Sequence, residues 1–435
     1  RTGRRAGVRA PEKRFLINSP EVNEGAWERL IKLAYLCEPQ LGGTFTYFLR
    51  LRPVLLGHEI DMRCVTTLPR ERLKGTPFEQ VDGVECVGCR EDDLPGATGQ
   101  MIEYLQNEQY ALVMILPGTD LLSSNLPAYL PRTIRSVIRV PMMTRGAYAP
   151  TQAIAPHLNR IYAVSDRIAD DLAGRYGIAR DQLEVIYHGV DPAPFADALA
   201  AKNSSPIVQL LYAGRLWDLD KGVFLLPEIM RRLKADAVEV RLTVAGGGPD
   251  EAELRRRFQQ AGVMDRVHMA GGLPLARMQE QFRAADIFVF PSRFEGCGFA
   301  VLEAMAAGCA PVVSDIRGSL RVIVDDGHAG GLARVGDADD FARAIAVLAR
   351  DRTALRALQE KAQARIRGHY TLERMAARYA ESMKAVLQAP DLRPAPRSLE
   401  HYELPRAFKP TWRTLIPRPI KNFIRMWMER FGISS

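Results

Sequence analysis

Short apolar runs alternate with amphipathic helical stretches along this chain, and the series occurs twice, which restricts the fold more than any other feature. Such runs fit strands buried on both faces, and the helices between them fit the crossovers of a parallel sheet. The predicted strands of the first series are 31–36, 60–65, 112–116, 137–140, 161–164 and 183–187. Those of the second series are 207–213, 238–244, 267–269, 287–290 and 311–314. The sequence therefore predicts an α/β fold with two doubly wound parallel sheets.

A polar stretch at 191–206, containing Pro, Ala and Ser, separates the two series and is predicted to be a linker. The 435 residues suffice for two domains. The predicted parts are a basic N-terminal extension (1–28), a first Rossmann-like domain (29–195), a second one (206–370), a helix that packs back toward the first domain (371–388) and a basic amphipathic tail (390–435). Because ligands bind at the carboxyl ends of the strands in such sheets, two facing sheets should form a cleft between them.

The net charge of +8 lies at the two ends of the chain. Residues 1–14 and residues 391–435 each carry a net charge of +5, which leaves −2 for the body between them. A near-neutral body argues against a surface that binds the phosphate backbone of nucleic acids. The start lacks the apolar core of a signal peptide, and no apolar run approaches the ~18–20 residues of a membrane span, so we expect a cytoplasmic protein.

The last residues combine positive charge with an apolar stripe. Apolar side chains recur there at helical spacing at Ile420, Phe423, Ile424, Trp427, Met428 and Phe431. Such a face either binds a membrane surface or docks on the protein itself. The first alternative predicts peripheral contact through 408–431 with the cytoplasmic face of the inner membrane, and the sequence leaves both open.

The six cysteines do not indicate a disulfide scaffold in so long a chain. Cys86 and Cys89 have zinc-type spacing, but no second Cys or His pair lies nearby in the sequence to complete four ligands. We therefore expect reduced thiols and no metal.

Two cations follow the first predicted strand of the second series. The guanidinium of Arg215 could bind a diphosphate with two hydrogen bonds, and Lys221 could add a point charge. Asp218 and Asp220 could instead neutralise both cations in a solvated loop. This loop alone therefore leaves a diphosphate site and an ordinary surface loop as alternatives.

The most specific segment contains Glu295 and, eight residues later, Glu303. Eight helical residues span about 12 Å, which is too far for two carboxylates that flank one glycosidic bond. Glu295, on a glycine-rich loop, is predicted to face a sugar, and Glu303, on the following helix, to accept hydrogen bonds from ribose hydroxyls. The backbone amides predicted to hold a diphosphate at the helix start are those of Gly298, Phe299 and Ala300.

With these motifs in this order, the chain resembles the family 4 retaining glycosyltransferases of the GT-B fold over about residues 31–388. Glu295 and Glu303 match the Glu-x7-Glu element of that family, and the loop from Arg215 to Lys221 is similar to its diphosphate-binding loop. The resemblance implies that the second domain holds a nucleoside-diphosphate sugar donor and the first an acceptor, with no metal or other cofactor. It assigns catalysis to Glu295, Arg215 and Lys221, and donor binding to Gly43, Gly214, Gly271, Gly272, Leu273, Cys297, Gly298, Phe299, Ala300 and Glu303.

Two features depart from the family pattern. The loop from Arg215 to Lys221 is one residue longer than is common in the family. The family also has a His that contacts the donor sugar after a strand like 137–140, and this chain has none there. Arg145 could replace that polar contact, whereas His157 is predicted to be structural.

The leading hypothesis is a retaining, hexosyltransferase-like enzyme that transfers a sugar to a glycan or lipid-linked acceptor in bacterial envelope polysaccharide or lipopolysaccharide synthesis. The missing His motivates an alternative, a non-catalytic nucleotide-sugar-binding or scaffold protein of the same fold. A phosphorylase or an epimerase on this fold is a third hypothesis. The base, sugar, linkage, acceptor and oligomeric state depend on pocket shape, which motifs do not define.

Overall fold

A computed structural model describes residues 30–409 of the protein, except 41, 91, 119, 203 and 204. The first of its two sheets has seven parallel strands in the spatial order β3-β2-β1-β4-β5-β6-β7. The elements of this half are β1 (Ile31–Leu36), α1 (Gly43–Leu56), β2 (Ile60–Thr66), β3 (Val84–Cys86), α2 (Leu94–Asn107), β4 (Leu112–Ile115), α3 (Leu121–Asn125), β5 (Arg135–Val140), α4 (Arg145–Ile154), β6 (Arg160–Ala163), α5 (Asp166–Tyr176) and β7 (Leu183–Val185).

The second sheet has six parallel strands in the order β10-β9-β8-β11-β12-β13. Its elements are β8 (Val208–Ala213), α6 (Asp218–Lys221), α7 (Leu225–Ala235), β9 (Val240–Ala245), α8 (Glu251–Gln260), β10 (Val267–Gly271), α9 (Leu275–Ala284), β11 (Ile287–Phe290), α10 (Phe299–Ala306), β12 (Ala310–Ser314), α11 (Leu320–Ile323), β13 (Gly331–Ala333), α12 (Ala338–Arg350) and α13 (Arg352–His369). The predicted α/β fold class with two doubly wound sheets is confirmed. In both sheets the strand order reverses at the first strand, which is where such sheets bind ligands.

Two strands, β3 and β13, were not predicted from the sequence, and both are three-residue strands at the edge of a sheet. Val84–Cys86 contains a charged glutamate, and Gly331–Ala333 begins with glycine. Neither run has the length or apolar content that marks a strand buried on both faces.

A last helix, α14 (Leu372–Gln388), crosses from the second half back to the first. Met375, Tyr379 and Met383 recur every four residues, so they lie on one side of this helix. That side is buried in the same apolar cluster as Tyr35 of β1 and Phe48 of α1. One face of the first sheet is therefore closed by residues from the far end of the chain.

After α14, residues 389–409, here called the strap, run along the first half. The Arg393 guanidinium is buried and donates to the carbonyl of Ile134 at 2.9 Å and to Ser136 Oγ at 3.1 Å. Further along, the ring of Tyr402 stacks on Tyr129 with centroids 4.9 Å apart. These residues were predicted to be part of a tail, because an irregular segment without periodicity carries no signal of where it packs.

The strap should make the protein sensitive to acid through Asp391, whose side chain is only 7% exposed. Burial alone would raise its pKa, but hydrogen bonds from Arg393 and Asn159 outweigh burial and hold the pKa well below its usual range. A carboxylate with a lowered folded-state pKa stabilises the fold above its unfolded value of about 3.9, and this contribution is lost as the pH falls further.

We expect Asp391→Asn to lower the free energy of unfolding by about 3 kcal/mol at neutral pH, because it leaves buried guanidinium charge uncompensated. The variant should also lose less stability than the wild type below about pH 4.5. Thermal melts between neutral pH and pH ~3 measure both effects. Asp92→Asn, at an exposed aspartate, is the control and should follow the wild type; an acid profile of Asp391→Asn identical to wild type would contradict the assignment.

Among the described helices of residues 30–409, none is long and apolar enough to cross a membrane. The amphipathic stretch that the sequence analysis found at 420–431, and the basic extension 1–28, lie outside the described residues.

Candidate functional site

The carboxyl edges of the two sheets meet in a cleft. Gly296, in the loop after β11, is so close to Pro141, which follows β5, that a Cβ atom on Gly296 would lie 2.3 Å from the Pro141 carbonyl oxygen. On the next strands, the amide of Arg167 in α5 donates to the carbonyl of Gly318 at 2.9 Å. These contacts join strand ends of different sheets, so the carboxyl edges of the two sheets face each other where the cleft was predicted.

At the centre of the cleft, Lys221 Nζ lies 2.5 Å from Glu295 Oε2, and both side chains are largely buried. The loop between β11 and α10 can turn here because Gly298 has the left-handed backbone conformation, with φ 75°. The amide of Gly298 donates to Glu295 Oε1 at 3.1 Å. The prediction that this amide is free for a diphosphate is therefore wrong for the ligand-free protein, since the neighbouring carboxylate takes it.

Two further amides remain at the start of α10, those of Phe299 and Ala300. Both lie in the first helical turn, where backbone N–H groups lack an intrahelical partner and the helix dipole is positive. The structure thus places a cation, a carboxylate and the amide end of a helix at one point of the cleft.

Arg215 is the more exposed of the two predicted cations, with 55% of its side chain accessible. Its guanidinium carbon lies 4.6 Å from the centre of the Trp217 ring, and Nη2 lies 3.4 Å from Asp220 Oδ2. The sequence left open whether Asp218 and Asp220 neutralise both cations of this loop. In the structure Asp220 pairs with Arg215, whereas Asp218 pairs with Arg293. A guanidinium on the surface of the cleft remains accessible to a ligand.

Glu303 lies one turn further along α10 and faces the first half of the protein. Its Oε1 accepts a hydrogen bond of 2.7 Å from Nη2 of Arg50, on α1. Sequence reasoning missed Arg50, because its partner is 253 residues away in the chain and no local motif marks it. This ion pair joins the two halves beside the cleft.

A stacked pair of rings lies next to that ion pair. The imidazole of His188 stacks on Phe299, with centroids 4.0 Å apart and 14° between the planes. Burial lowers the pKa of His188 well below its ordinary value, and the positive charges of Arg139 and Arg50 lower it further. The ring is therefore neutral. His188 lies three residues before the predicted linker, and no role in the site was predicted for it from the sequence.

Cys297 was predicted to bind donor, but its side chain is buried and its Sγ accepts a hydrogen bond of 3.4 Å from the amide of His188. Burial raises the pKa of this thiol to about 12. The thiol is therefore a neutral packing group, and a ligand could reach only the backbone here.

The remaining predicted glycines lie at strand ends. Gly214 directly follows β8, and Gly271 is the last residue of β10. The amide of Gly214 donates to the carbonyl of Ala245 at 3.0 Å, and the amide of Gly246 donates to the carbonyl of Gly271 at 2.7 Å. A Cβ atom on Gly271, Gly272 or Gly43 would meet nothing within 4 Å, so open space adjoins each of them. Leu273 is half-buried beside Gly272. Gly43 begins α1 in the first half.

At the end of β5, where the family pattern has a His, Met142 is 50% exposed. Arg145 is exposed at the start of α4, three residues on, beside the cleft and without direct contact with Glu295. His157 is buried, and its carbonyl accepts from Ser136 near the amino end of β5 at 2.6 Å. His157 therefore lies at the opposite edge of the sheet and cannot reach the cleft.

Within the described part of the chain, no group of three or more His, Cys, Asp or Glu side chains is arranged to hold a metal ion. Cys86 and Cys89, which have zinc-type spacing, are both free thiols.

Two parallel sheets whose carboxyl edges enclose a cleft define the GT-B class of glycosyltransferase folds. A glycosyltransferase from Rickettsia africae has this fold, with a TM-score of 0.68 and 15% identity over 83% of this chain and 100% of that chain. An Anabaena protein solved with UDP and glucose has a TM-score of 0.65 and 15% identity over 82% of this chain and 100% of that one. At these identities the likeness shows the fold alone.

Sequence comparison adds the family. Residues 41–194 match the profile described as Glycosyltransferase Family 4, and residues 200–365 match that of Glycosyl transferases group 1. The chain belongs to this family of glycosyltransferases. The GDP-mannose:cellobiosyl-diphosphopolyprenol alpha-mannosyltransferase of Xanthomonas campestris is 32% identical over 171 residues, which are 39% of this chain and 43% of that protein. The chain spans about half the length of the curated relatives it matches.

Proposed function

We propose that this chain is a retaining glycosyltransferase that moves a sugar from a nucleoside-diphosphate sugar to a lipid-linked or polysaccharide acceptor in bacterial envelope synthesis. The observation that carries the proposal is the contact between Lys221 and Glu295 at the start of α10. Lys221 and the amide end of α10 are suited to bind a departing diphosphate, and Glu295 is suited to accept hydrogen bonds from sugar hydroxyls. Family membership supports retention of the anomeric configuration, and the polyprenyl diphosphate named for the Xanthomonas relative supports a lipid-linked acceptor.

Bond cleavage at the sugar builds negative charge on the leaving diphosphate. The amides of Phe299 and Ala300 can receive two of its oxygens at the positive end of α10. Lys221 can turn from Glu295 toward the same oxygens, and the exposed guanidinium of Arg215 can approach from the cleft surface. Fixed positive groups of this kind stabilise the transition state in which that charge develops.

The two carboxylates have separate tasks in this proposal. Glu295, once Lys221 turns to the diphosphate, accepts hydrogen bonds from hydroxyls of the donor sugar. Glu303 accepts hydrogen bonds from the ribose, and this requires its carboxylate to share or exchange its bond with Arg50. The open space at Gly271 and Gly272 can admit the base against the backbone.

A nucleotide-binding experiment tests this assignment. We expect one of UDP, GDP, ADP and TDP to raise the melting temperature of the wild type, since a ligand at 100 times its dissociation constant stabilises the fold by about 2.7 kcal/mol. Glu303→Gln should lose most of that shift, because a neutral amide accepts ribose hydrogen bonds less strongly than a carboxylate. Titration calorimetry of the same proteins measures the affinity.

Two further variants separate ribose binding from the ion pair between the halves. Arg50→Gln breaks the pair but leaves the Glu303 carboxylate in place, so it should keep nucleotide affinity. Glu253→Gln, at a half-buried carboxylate of α8 that pairs with arginines of its own helix, is the control. Undiminished binding by Glu303→Gln would refute its role, and no shift of the wild type with any nucleotide would refute the donor site.

A non-catalytic nucleotide-sugar-binding protein is the second candidate. It is favoured by one observation, the exposed Met142 where the family pattern has a His. The two candidates differ in turnover: the transferase releases nucleoside diphosphate from the matching sugar donor and forms a glycoside, whereas the binding protein gives only the melting shift.

The location follows from the proposed acceptor. A lipid-linked acceptor would bring the protein to the cytoplasmic face of the inner membrane, as a peripheral protein that makes contact through 408–431. Of that segment only Phe408 and Lys409 lie within the described residues, and Phe408 packs against the protein itself.

A further inference from the structure

A buried arginine without a counter-charge lies beneath the cleft. Arg139, on β5, is 2% exposed, and its guanidinium remains charged at any physiological pH. Its guanidinium carbon lies 3.8 Å from the centre of the Tyr47 ring, and Nη2 lies 3.2 Å from His188 Nε2. Within the described residues, Arg139 makes no ion pair with a carboxylate, although a buried charge without one is strongly unfavourable.

The neighbouring carboxylates are engaged elsewhere. Glu184 accepts a hydrogen bond of 2.5 Å from Ser382 and lies 3.6 Å from the guanidinium of Arg378. Glu295 is paired with Lys221 at 2.5 Å. Neither is available to neutralise Arg139.

Around Arg139 lie several hydrogen-bond donors without a partner. The hydroxyls of Tyr35, Tyr47 and Tyr379 and the Nε of Arg139 are buried without a partner at ordinary hydrogen-bonding distance in the described chain, although Tyr379 lies close enough to Tyr47 and Arg139 for both to offset part of the rise that burial causes in its pKa. These groups come from β1, α1, α14 and β5, and Tyr35 and Tyr379 lie 5.9 and 6.3 Å from Tyr47, measured between ring centroids. We call them, together with His188, the Arg139 cluster.

None of these side chains can supply the missing negative charge. Burial raises the pKa of all three tyrosines, and the positive charge of Arg139 lowers it only in part. The phenols are therefore neutral and present O–H donors. Neutral His188 has one acceptor nitrogen, and both of its ring nitrogens lie near Arg139 Nη2, Nε2 at 3.2 Å and Nδ1 at 3.5 Å. The cluster thus combines a fixed positive charge with several donors, which is the chemistry of an anion site.

We propose that the Arg139 cluster binds a small inorganic anion of the halide type, which in the cell would be chloride. A water molecule could accept hydrogen bonds from the phenols but would leave the charge of Arg139 uncompensated. The tyrosine rings pack against one another, with centroids 5.9 and 6.3 Å apart, and this leaves no room among them for a group as large as a tetrahedral phosphate. The anion would lie where α1, β5 and α14 meet, behind the stacked rings of His188 and Phe299, and would hold these elements together.

Crystals of the full chain grown in sodium bromide test the proposal without any substitution. We expect an anomalous bromide peak within hydrogen-bonding distance of Arg139 Nε and at least one of the three phenols. A map with no bromide at the cluster, at a concentration that labels other halide sites on the surface, overturns the proposal.

Melting temperatures give an independent measurement in solution. In ~150 mM sodium chloride the wild type should melt about 3 °C higher than in sodium gluconate of equal ionic strength, because gluconate is too large for the site. Arg139→Met keeps the side-chain bulk, removes the charge and should abolish the difference. Arg52→Met is the matched control: Arg52 is also buried, but its partner Asp61 keeps the ion pair with Arg63, so the chloride effect should persist. Equal melting temperatures of the wild type in the two salts, or an equal chloride effect in Arg139→Met, would overturn the proposal.

Discussion

Replacing Lys221 with methionine should reduce the turnover number of sugar transfer by about 10²- to 10³-fold, the loss typical of removing one preorganised group that faces a charge developing in the transition state. The substitution removes the ammonium that lies 2.5 Å from Glu295 and is placed to turn toward the leaving diphosphate. It also leaves the carboxylate of Glu295, whose side chain is 14% exposed, without its cation. The rate of nucleoside diphosphate release at saturating donor and acceptor measures this effect.

The control for this variant is Lys234→Met. Lys234 belongs to the same half of the protein, pairs with Asp265 at 3.4 Å and lies on the exposed side of α7. It should retain wild-type turnover. A turnover number of Lys221→Met within about threefold of wild type, with an unchanged melting temperature, would remove Lys221 from the proposed machinery.

Gly296→Ala should separate the two halves of the site. The added Cβ would lie 2.3 Å from the carbonyl oxygen of Pro141, a backbone atom that cannot rotate away. The halves would have to move apart by about 1 Å, and a displacement of that size costs about 10²-fold in rate when two groups must be aligned. We therefore expect a loss of turnover with little change in nucleotide affinity, since the nucleotide would bind mainly to the second half.

Turnover and nucleotide affinity should be measured on the same preparation of Gly296→Ala. Gly174→Ala is the control, because a Cβ there, in the last turn of α5, would meet nothing within 4 Å; this change should leave activity intact and stabilise the helix slightly. If the affinity of Gly296→Ala for nucleotide fell as much as its turnover, the substitution would act on the donor loop rather than on the approach of the halves.

The sheets were predictable because parallel strands buried on both faces leave a strong local signal. Leu112–Ile115 and Ile287–Phe290 are fully buried apolar runs, and the glycine before Phe299 marks the start of α10. Local composition therefore showed which segments form strands, except for the short edge strands β3 and β13, whereas the spatial order of the strands came from the structure. The strap was not predictable, because its packing depends on single contacts such as Arg393 with Ile134 and not on any periodic pattern.

The predicted site residues differ in the same way. The positions of Glu295 on a loop and of Glu303 on a helix follow from the glycines and apolar residues around them. Their partners do not: Lys221 lies 74 residues from Glu295, and Arg50 lies 253 residues from Glu303. The first contact depends on the pairing of β8 with β11 inside the second sheet, and the second contact depends on how the two domains approach. No spacing in the sequence encodes either distance.

The return of α14 to the first half also has a consequence for the order of events at the ribosome. The first residue of α14 follows the last residue of β1 by 336 residues, which at about 5–20 residues per second is a delay of about 15 to 70 s. During this time the apolar side of the first sheet, with Tyr35 and Phe48, lacks the helix that covers it. The second sheet and its helices are contiguous from Val208 to His369, so that half can complete its core first. The first half is therefore synthesised first but completes its core last. Until α14 packs against it, chaperones can bind the exposed apolar face of its sheet.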